Sequence, residues 1–219
     1  MQIDTPDAFL IDLDGTLVDT LGDFHAVLAA TLAELGLPSV SRAFIERTVG
    51  QGSEHLIRAV LAEVGGAPAL YEPAWALYQD HYAALNGRHA EVYPGVVAGL
   101  ERLRALGRPM ACLTNKPGAF ARGLLAAKQL SHYFDVVAGG DEFARKKPDP
   151  LPLVATCARL GVAPARAWMV GDSSNDARAA AAAGCACVLV TYGYNHGEPI
   201  RAVPALQHVD SLAAIALPG

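Results

Sequence analysis

The chain has 219 residues and a formal net charge of -5, with 52% hydrophobic and 18% charged residues. That balance belongs to a folded globular chain with a substantial core, in one domain or two small ones, and its acidity excludes a role built on gripping a nucleic-acid backbone. The four cysteines, Cys112, Cys157, Cys185 and Cys187, match no metal-ligand spacing and are expected as buried thiols.

Residues 1–7 carry acidic residues and no basic head leading into an apolar run, so no secretory signal is expected there and the cytoplasm is the expected location. Ala8-Phe9-Leu10-Ile11 is a short apolar run ending in Asp12, the pattern of a strand buried on both faces. Asp12-Leu13-Asp14-Gly15-Thr16 then sets two carboxylates two residues apart where the strand opens into a glycine turn. By itself this pair also suits a calcium loop or a helix cap. From Thr20 to about Ala90 the pattern is helical, with Leu56, Ile57, Val60, Leu61 and Val64 on one face and no strand candidate. These residues read as a helical insert whose ends, near Asp19 and Pro94-Gly95, set it over the end of the first strand, where a lid would lie.

Further apolar runs follow at 110–113, 136–137, 167–170 and 187–190, with helical patterns between most of them, which signals a parallel α/β sheet. The stretch 179–194 is broken at Gly184 and reads as helix, turn and strand, so no membrane span is expected. Four runs end directly in polar or glycine residues: Asp12, Thr114-Asn115, Gly139-Gly140-Asp141 and Gly171-Asp172. Open parallel sheets bind ligands at that carboxyl edge, so one site can collect all four.

Gly171-Asp172-Ser173-Ser174-Asn175-Asp176 is a second acidic cluster before a helix, in which Asp176 also suits an N-terminal helix acid. Gathered in one crevice, Asp12, Asp14, Asp172 and Asp176 repel one another and call for a cation; with no His or Cys nearby, magnesium fits. Lys146-Lys147-Pro148 offers an ammonium beside a rigid turn, although a lysine pair is more often solvated surface. Together these parts supply a nucleophilic oxygen, a metal, hydrogen-bond donors and a fixed cation, which are the requirements of phosphoryl transfer.

These motifs resemble those of the haloacid dehalogenase superfamily, matching Asp12 to Thr16, Thr114, Lys147-Pro148 and Gly171-Asp172 with Asp176 over nearly the whole chain. The resemblance implies a Rossmann-like core, residues 1–19 and 91–219, with an inserted helical cap, residues 20–90. It also implies that Asp12 attacks phosphorus and that Asp14 exchanges protons with the leaving oxygen and then with water. Thr114 and Lys147 would hold the phosphoryl oxygens, and Asp12, Asp14 (through its carbonyl), Asp172 and Asp176 would form the magnesium site. Asp14 favours a phosphomonoester over a haloacid.

More narrowly, residues 49–52, 114–117, 139–141 and 191–197 are similar to those of bacterial phosphoglycolate phosphatases. That similarity implies a small substrate bearing a carboxylate, with Asn115, Gly50, Gln51, Gly52 and Arg58 as binding candidates; Gln51 stands where such enzymes often have Asn. A sugar-phosphate or amino-sugar-phosphate phosphatase is the alternative, with a mutase or a phospho-aspartate signalling domain behind it. His196 is expected to be structural.

Overall fold

The computed structural model describes residues 5–218. Residues 1–4, where part of the N-terminal reading falls, lie outside the described residues. In chain order the core opens with β1 (Ala8–Ile11) and β2 (Val18–Asp19). Four helices follow: α1 (Leu21–Glu34), α2 (Arg42–Thr48), α3 (Ser53–Glu63) and α4 (Tyr71–Leu85). The chain returns through β3 (Glu91–Val92) and then alternates: α5 (Val96–Arg104), β4 (Met110–Leu113), α6 (Gly118–Ala127), β5 (Val136–Ala138), α7 (Leu151–Leu160), β6 (Ala167–Gly171), α8 (Ser174–Ala183), β7 (Ala186–Val190) and β8 (Gln207–Val209).

The six-stranded sheet has the order β5-β4-β1-β6-β7-β8, and every pairing is parallel. Its central strands read as unbroken apolar runs because helices cover both faces. Phe9 and Ile11 of β1 join Val96, Leu100, Leu124 and Leu125 of α5 and α6 in one cluster. Ala8 and Leu10 point the other way, to Leu153 and Cys157 of α7 and Ala179 and Ala180 of α8. Ala177, Ala179 and Ala180 thus form the buried side of α8. All four cysteines are buried and free; Cys185 precedes β7 rather than lying within it.

Helices α1 to α4 build a cluster of their own, with Leu28, Ile45, Leu56, Ile57, Tyr78 and Tyr82 at its centre. The chain leaves the core and re-enters it side by side, because β2 and β3 pair antiparallel, Val18 with Val92 and Asp19 with Glu91. Asp23 closes the same junction by accepting from the Gly87 and His89 N–H groups at 2.6 and 2.7 Å. No helix among the described residues is long and apolar enough to cross a membrane.

Leu10 has no exposed surface and sits on the central strand. Leu10→Ala is expected to lower stability by about 2–5 kcal/mol through lost burial and a cavity. Urea denaturation checks this, and a loss below about 1 kcal/mol would mean that the sheet collapses around the gap.

Candidate active site

The carboxyl edge of the sheet carries the site. Sheet-type hydrogen bonds run one residue past the strands: Asp12 N–H donates to Val170 O at 2.9 Å and Thr114 N–H to Ala138 O at 3.1 Å. Both side chains are therefore set by the sheet itself. Lys147 arrives from the loop between β5 and α7, where the Lys147–Pro148 peptide is cis. Asn115 clamps its backbone, accepting from Lys147 N–H at 2.9 Å and donating to Lys147 O at 2.8 Å.

The Lys147 ammonium is buried and bonded to Asp176 Oδ1 at 2.7 Å, Leu113 O at 3.0 Å and Asp12 Oδ1 at 3.1 Å. Burial alone would lower its pKa, but the Asp12 and Asp176 carboxylates outweigh that and hold it protonated, above the usual lysine range. The Leu13 N–H also donates to Asp12 Oδ1, at 2.8 Å. One oxygen of Asp12 is thus fixed in place, and neither bond uses Oδ2.

Asp172 and Asp176 are both buried. Asp176 Oδ2 accepts from Ser173 N–H, Ser173 Oγ and, at 3.3 Å, Asp172 N–H, while Oδ1 accepts from Lys147, so both oxygens are engaged at the start of α8. Asp172 accepts from Tyr194 N–H at 2.6 Å and Thr16 Oγ1 at 3.1 Å, one bond on each oxygen. Burial, reinforced by Asp176 and Asp12, pushes the Asp172 carboxyl well above its ordinary range. Asp12 rises to about 7, first from burial and then from Asp176 and Asp14, against the pull of Lys147 and the Leu13 N–H.

Asp12, Asp172 and Asp176 each offer an oxygen, the three lying within 4.8 Å of one another. The site is short of positive charge, and its donors are all oxygen, which fits a hard divalent cation. Asp12 and Asp172 retain the lone pairs to hold one. Asp176 also anchors Lys147 and the start of α8.

Asp14 looks the other way. Its carboxylate is bonded to the buried Lys116 ammonium at 2.9 and 3.2 Å, and Lys116 also donates to Tyr82 Oη on α4. Lys116 and Tyr194 were not singled out in the sequence. Lys116 sat unnoticed within 114–117, and Tyr194 within 191–197, the stretch with the most specific family resemblance. Tyr194 Oη donates to Asp19 and accepts from Thr20 N–H, so one residue joins Asp172 to the base of the helical insert.

A pocket of about 560 Å³, its open mouth included, lies between the helices and the sheet edge. Asp12, Asp14, Thr114, Asn115, Lys116 and Asp172 line it from the core, and Phe24, Gly50, Gly52, Leu56, Tyr78 and Tyr82 from the helices. Asn115 and Asn175 donate to Gly50 O at 2.9 and 3.3 Å, tying the loop before α3 to the core. His196 lies in the same contact, 3.1 Å from Asn175. Two expected binding residues lie away from the pocket lining. Gln51 is exposed and does not line the pocket, and Arg58 is drawn to the outside of α3, where its guanidinium stacks on Tyr71 at 3.9 Å.

A parallel α/β sheet with carboxylates and a buried lysine at its strand ends defines an enzyme of the strand-end aspartate class. A model of the haloacid dehalogenase-like hydrolase family matches residues 9–190. The chain belongs to that family. It is 43% identical to a phosphoglycolate phosphatase of Thiobacillus denitrificans, over 96% of this chain and 94% of that one. It is 44% identical to a plasmid-borne phosphoglycolate phosphatase of Cupriavidus necator, over 95% and 90%. Among solved structures, a "predicted phosphoglycolate phosphatase" from Haemophilus somnus superposes with a TM-score of 0.89 at 30% identity, covering 94% of this chain and 95% of that one.

Gly15 has φ +82°, and a Cβ there would clash with Asp172 Oδ2. Gly15→Ala combines left-handed strain with a clash against a buried carboxylate and is expected to cost about 1–3 kcal/mol. An unchanged denaturation midpoint would show that the turn moves aside freely.

Proposed function

We propose that the protein is a magnesium-dependent phosphatase of small phosphomonoesters, with 2-phosphoglycolate as its substrate. The observation that carries this reading is the buried Lys147 held between Asp12 and Asp176, with Thr114 and Asp172 beside it at one sheet edge. The names of the relatives support the substrate.

Asp12 is the nucleophile. Lys147 and the Leu13 N–H fix its Oδ1, so Oδ2 is the oxygen that attacks phosphorus as the ester P–O bond breaks. Asp14 gives its proton to the departing alkoxide. A water then attacks the phosphorus of the aspartyl phosphate and yields its proton to Asp14, and the bond to Asp12 breaks to release inorganic phosphate. Thr114 and Lys147 hold the equatorial oxygens, and burial keeps the ammonium rigid and strong. Magnesium held by Asp12 and Asp172, with the Asp14 carbonyl beside them and Asp176 behind, would neutralise the gathered negative charge. Asn115 orients the Lys147 loop, while Gly50 and Gly52 offer backbone to the substrate's far end.

Residues 1–19 and 91–219 act as the catalytic core and residues 20–90 as its cap. The separate apolar cluster of the helices and the paired crossings of β2 and β3 support that division. Phe24, Leu56, Tyr78 and Tyr82 make the far wall of the pocket aromatic and apolar, which suits a compact substrate over a sugar rich in hydroxyls.

Phosphate release from 2-phosphoglycolate is expected with magnesium, to stop with chelator, and to exceed that from a panel of sugar phosphates in kcat/KM. A preference for a sugar phosphate would keep the chemistry and retire the substrate. Asp12→Asn is expected to abolish turnover in a folded protein, and Asp14→Asn to cost about 10²–10⁴-fold in kcat. Near-native turnover by Asp12→Asn would exclude the covalent route. Magnesium at about 100 times its Kd adds about 2.7 kcal/mol, a rise in Tm of roughly 5–10 °C for a chain of this length. Asp172→Asn should remove most of that rise; an equal rise in the variant would put the metal elsewhere.

A further inference from the structure

Lys116 carries chemistry that the phosphoryl machinery does not use. Its ammonium is 3% exposed and lies over the rings of Phe24 and Tyr82 at 4.8 and 4.7 Å. Among the described residues that line the pocket, it is the one cationic side chain. Other candidate cations are spoken for: Lys147 is buried between Asp12 and Asp176, Lys146 pairs with Glu54 at the surface, and Arg58 stacks on Tyr71. The expected carboxylate-binding arginine is therefore absent from the pocket, and a lysine from the core stands there instead.

We propose that Lys116 is the specificity-determining residue that receives the substrate's carboxylate, so that the site selects phosphate esters of a short hydroxy acid. The inference rests on the phosphatase reading and on Asp14 as the group facing the ester oxygen. Lys116 Nζ is 2.9 Å from Asp14 Oδ1. Two consecutive hydrogen bonds, ester oxygen to Asp14 and Asp14 to Lys116, set the ammonium at most about 6 Å from the ester oxygen. A carboxylate separated from that oxygen by one carbon falls between them. An ammonium has three donors, and here two of its three bonds go to the two oxygens of one carboxylate, with the third to Tyr82 Oη. An incoming carboxylate can take one donor while Asp14 keeps the other. The rings exclude water from the exchange, which raises the value of a charge-assisted hydrogen bond. A neutral sugar tail gives the ammonium nothing.

The test compares kcat/KM for 2-phosphoglycolate and ethyl phosphate, which share the phosphoryl group and differ at the carboxylate. The wild type is expected to prefer 2-phosphoglycolate strongly. Lys116→Met should cut that preference by about 10- to 100-fold, the range of a hydrogen bond to a charged group, and Lys116→Arg should keep more of it than Met does. Equal losses on both substrates would make Lys116 a structural residue and overturn the inference while leaving the substrate reading intact. A wild type with no preference would overturn the substrate reading itself, and the inference with it. If circular dichroism shows Lys116→Met unfolded, Lys116→Gln takes its place: a neutral donor of similar reach should lower the preference by about 2- to 10-fold, and an unchanged preference overturns the inference.

Discussion

A buried ammonium between a buried carboxylate and a partly buried one is the constraint from which the site follows. Lys147 cannot sit at the end of a parallel sheet without partners, because an unpaired charge in that position costs several kcal/mol. Its partners come from two strand ends and the first turn of a helix: Leu113 O at the end of β4, Asp12 just after β1 and Asp176 at the start of α8. Meeting that need fixes the relative register of β4, β1, β6 and the loop after β5. The carboxylates in turn exceed the available ammonium, and that surplus makes the pocket a site for a cation and a phosphoryl group.

The helical insert depends on the same edge. Its two crossings pair as β2 and β3 within a few residues of Asp14, and Tyr194 ties Asp172 to Thr20 at its base. The loop at Gly50 is bonded to Asn115, the residue that also clamps Lys147. Contacts that close the helices over the pocket are thus the contacts that hold the charged residues in place. Closure and site assembly are one set of hydrogen bonds, which suits a reaction that needs water kept out of its first step and admitted to its second.

The core strands were legible because both faces of each are buried, so Ala8 to Ile11 or Met110 to Leu113 read as unbroken apolar runs of the right length. Strand β8, with Gln207 and His208 at the sheet edge, and the two-residue strands β2 and β3 carry no such signal; pairing with distant partners makes them strands. Asp12, Thr114 and Asp172 stood out in the sequence because each directly follows an apolar run that ends at the carboxyl edge, and the structure brings them to one edge together with Asp14, Lys147 and Asp176. The cap side of the pocket was not legible, because a lysine or arginine at a helix or loop position looks alike whether buried or solvated. Arg58 was drawn to Tyr71 and Lys116 to Asp14 by contacts over long sequence separations, which no local pattern records.

The spacing of Asp12 and Asp14 is itself an argument about mechanism. They lie two residues apart just past the end of β1, and both line the pocket. Yet each meets a different lysine. Asp12 shares Lys147 with Asp176, and all three are held by core residues. Asp14 meets Lys116, whose remaining partner is a tyrosine of the helical insert. A nucleophile benefits from a fixed cation behind it, since the attacking oxygen must be placed to within a fraction of an ångström. A group that gives and then takes a proton needs a partner that can loosen. Because the core lysine Lys116 also bonds Tyr82 of α4, Asp14 is coupled to the helical insert, whereas the lysine beside Asp12 bonds only core residues.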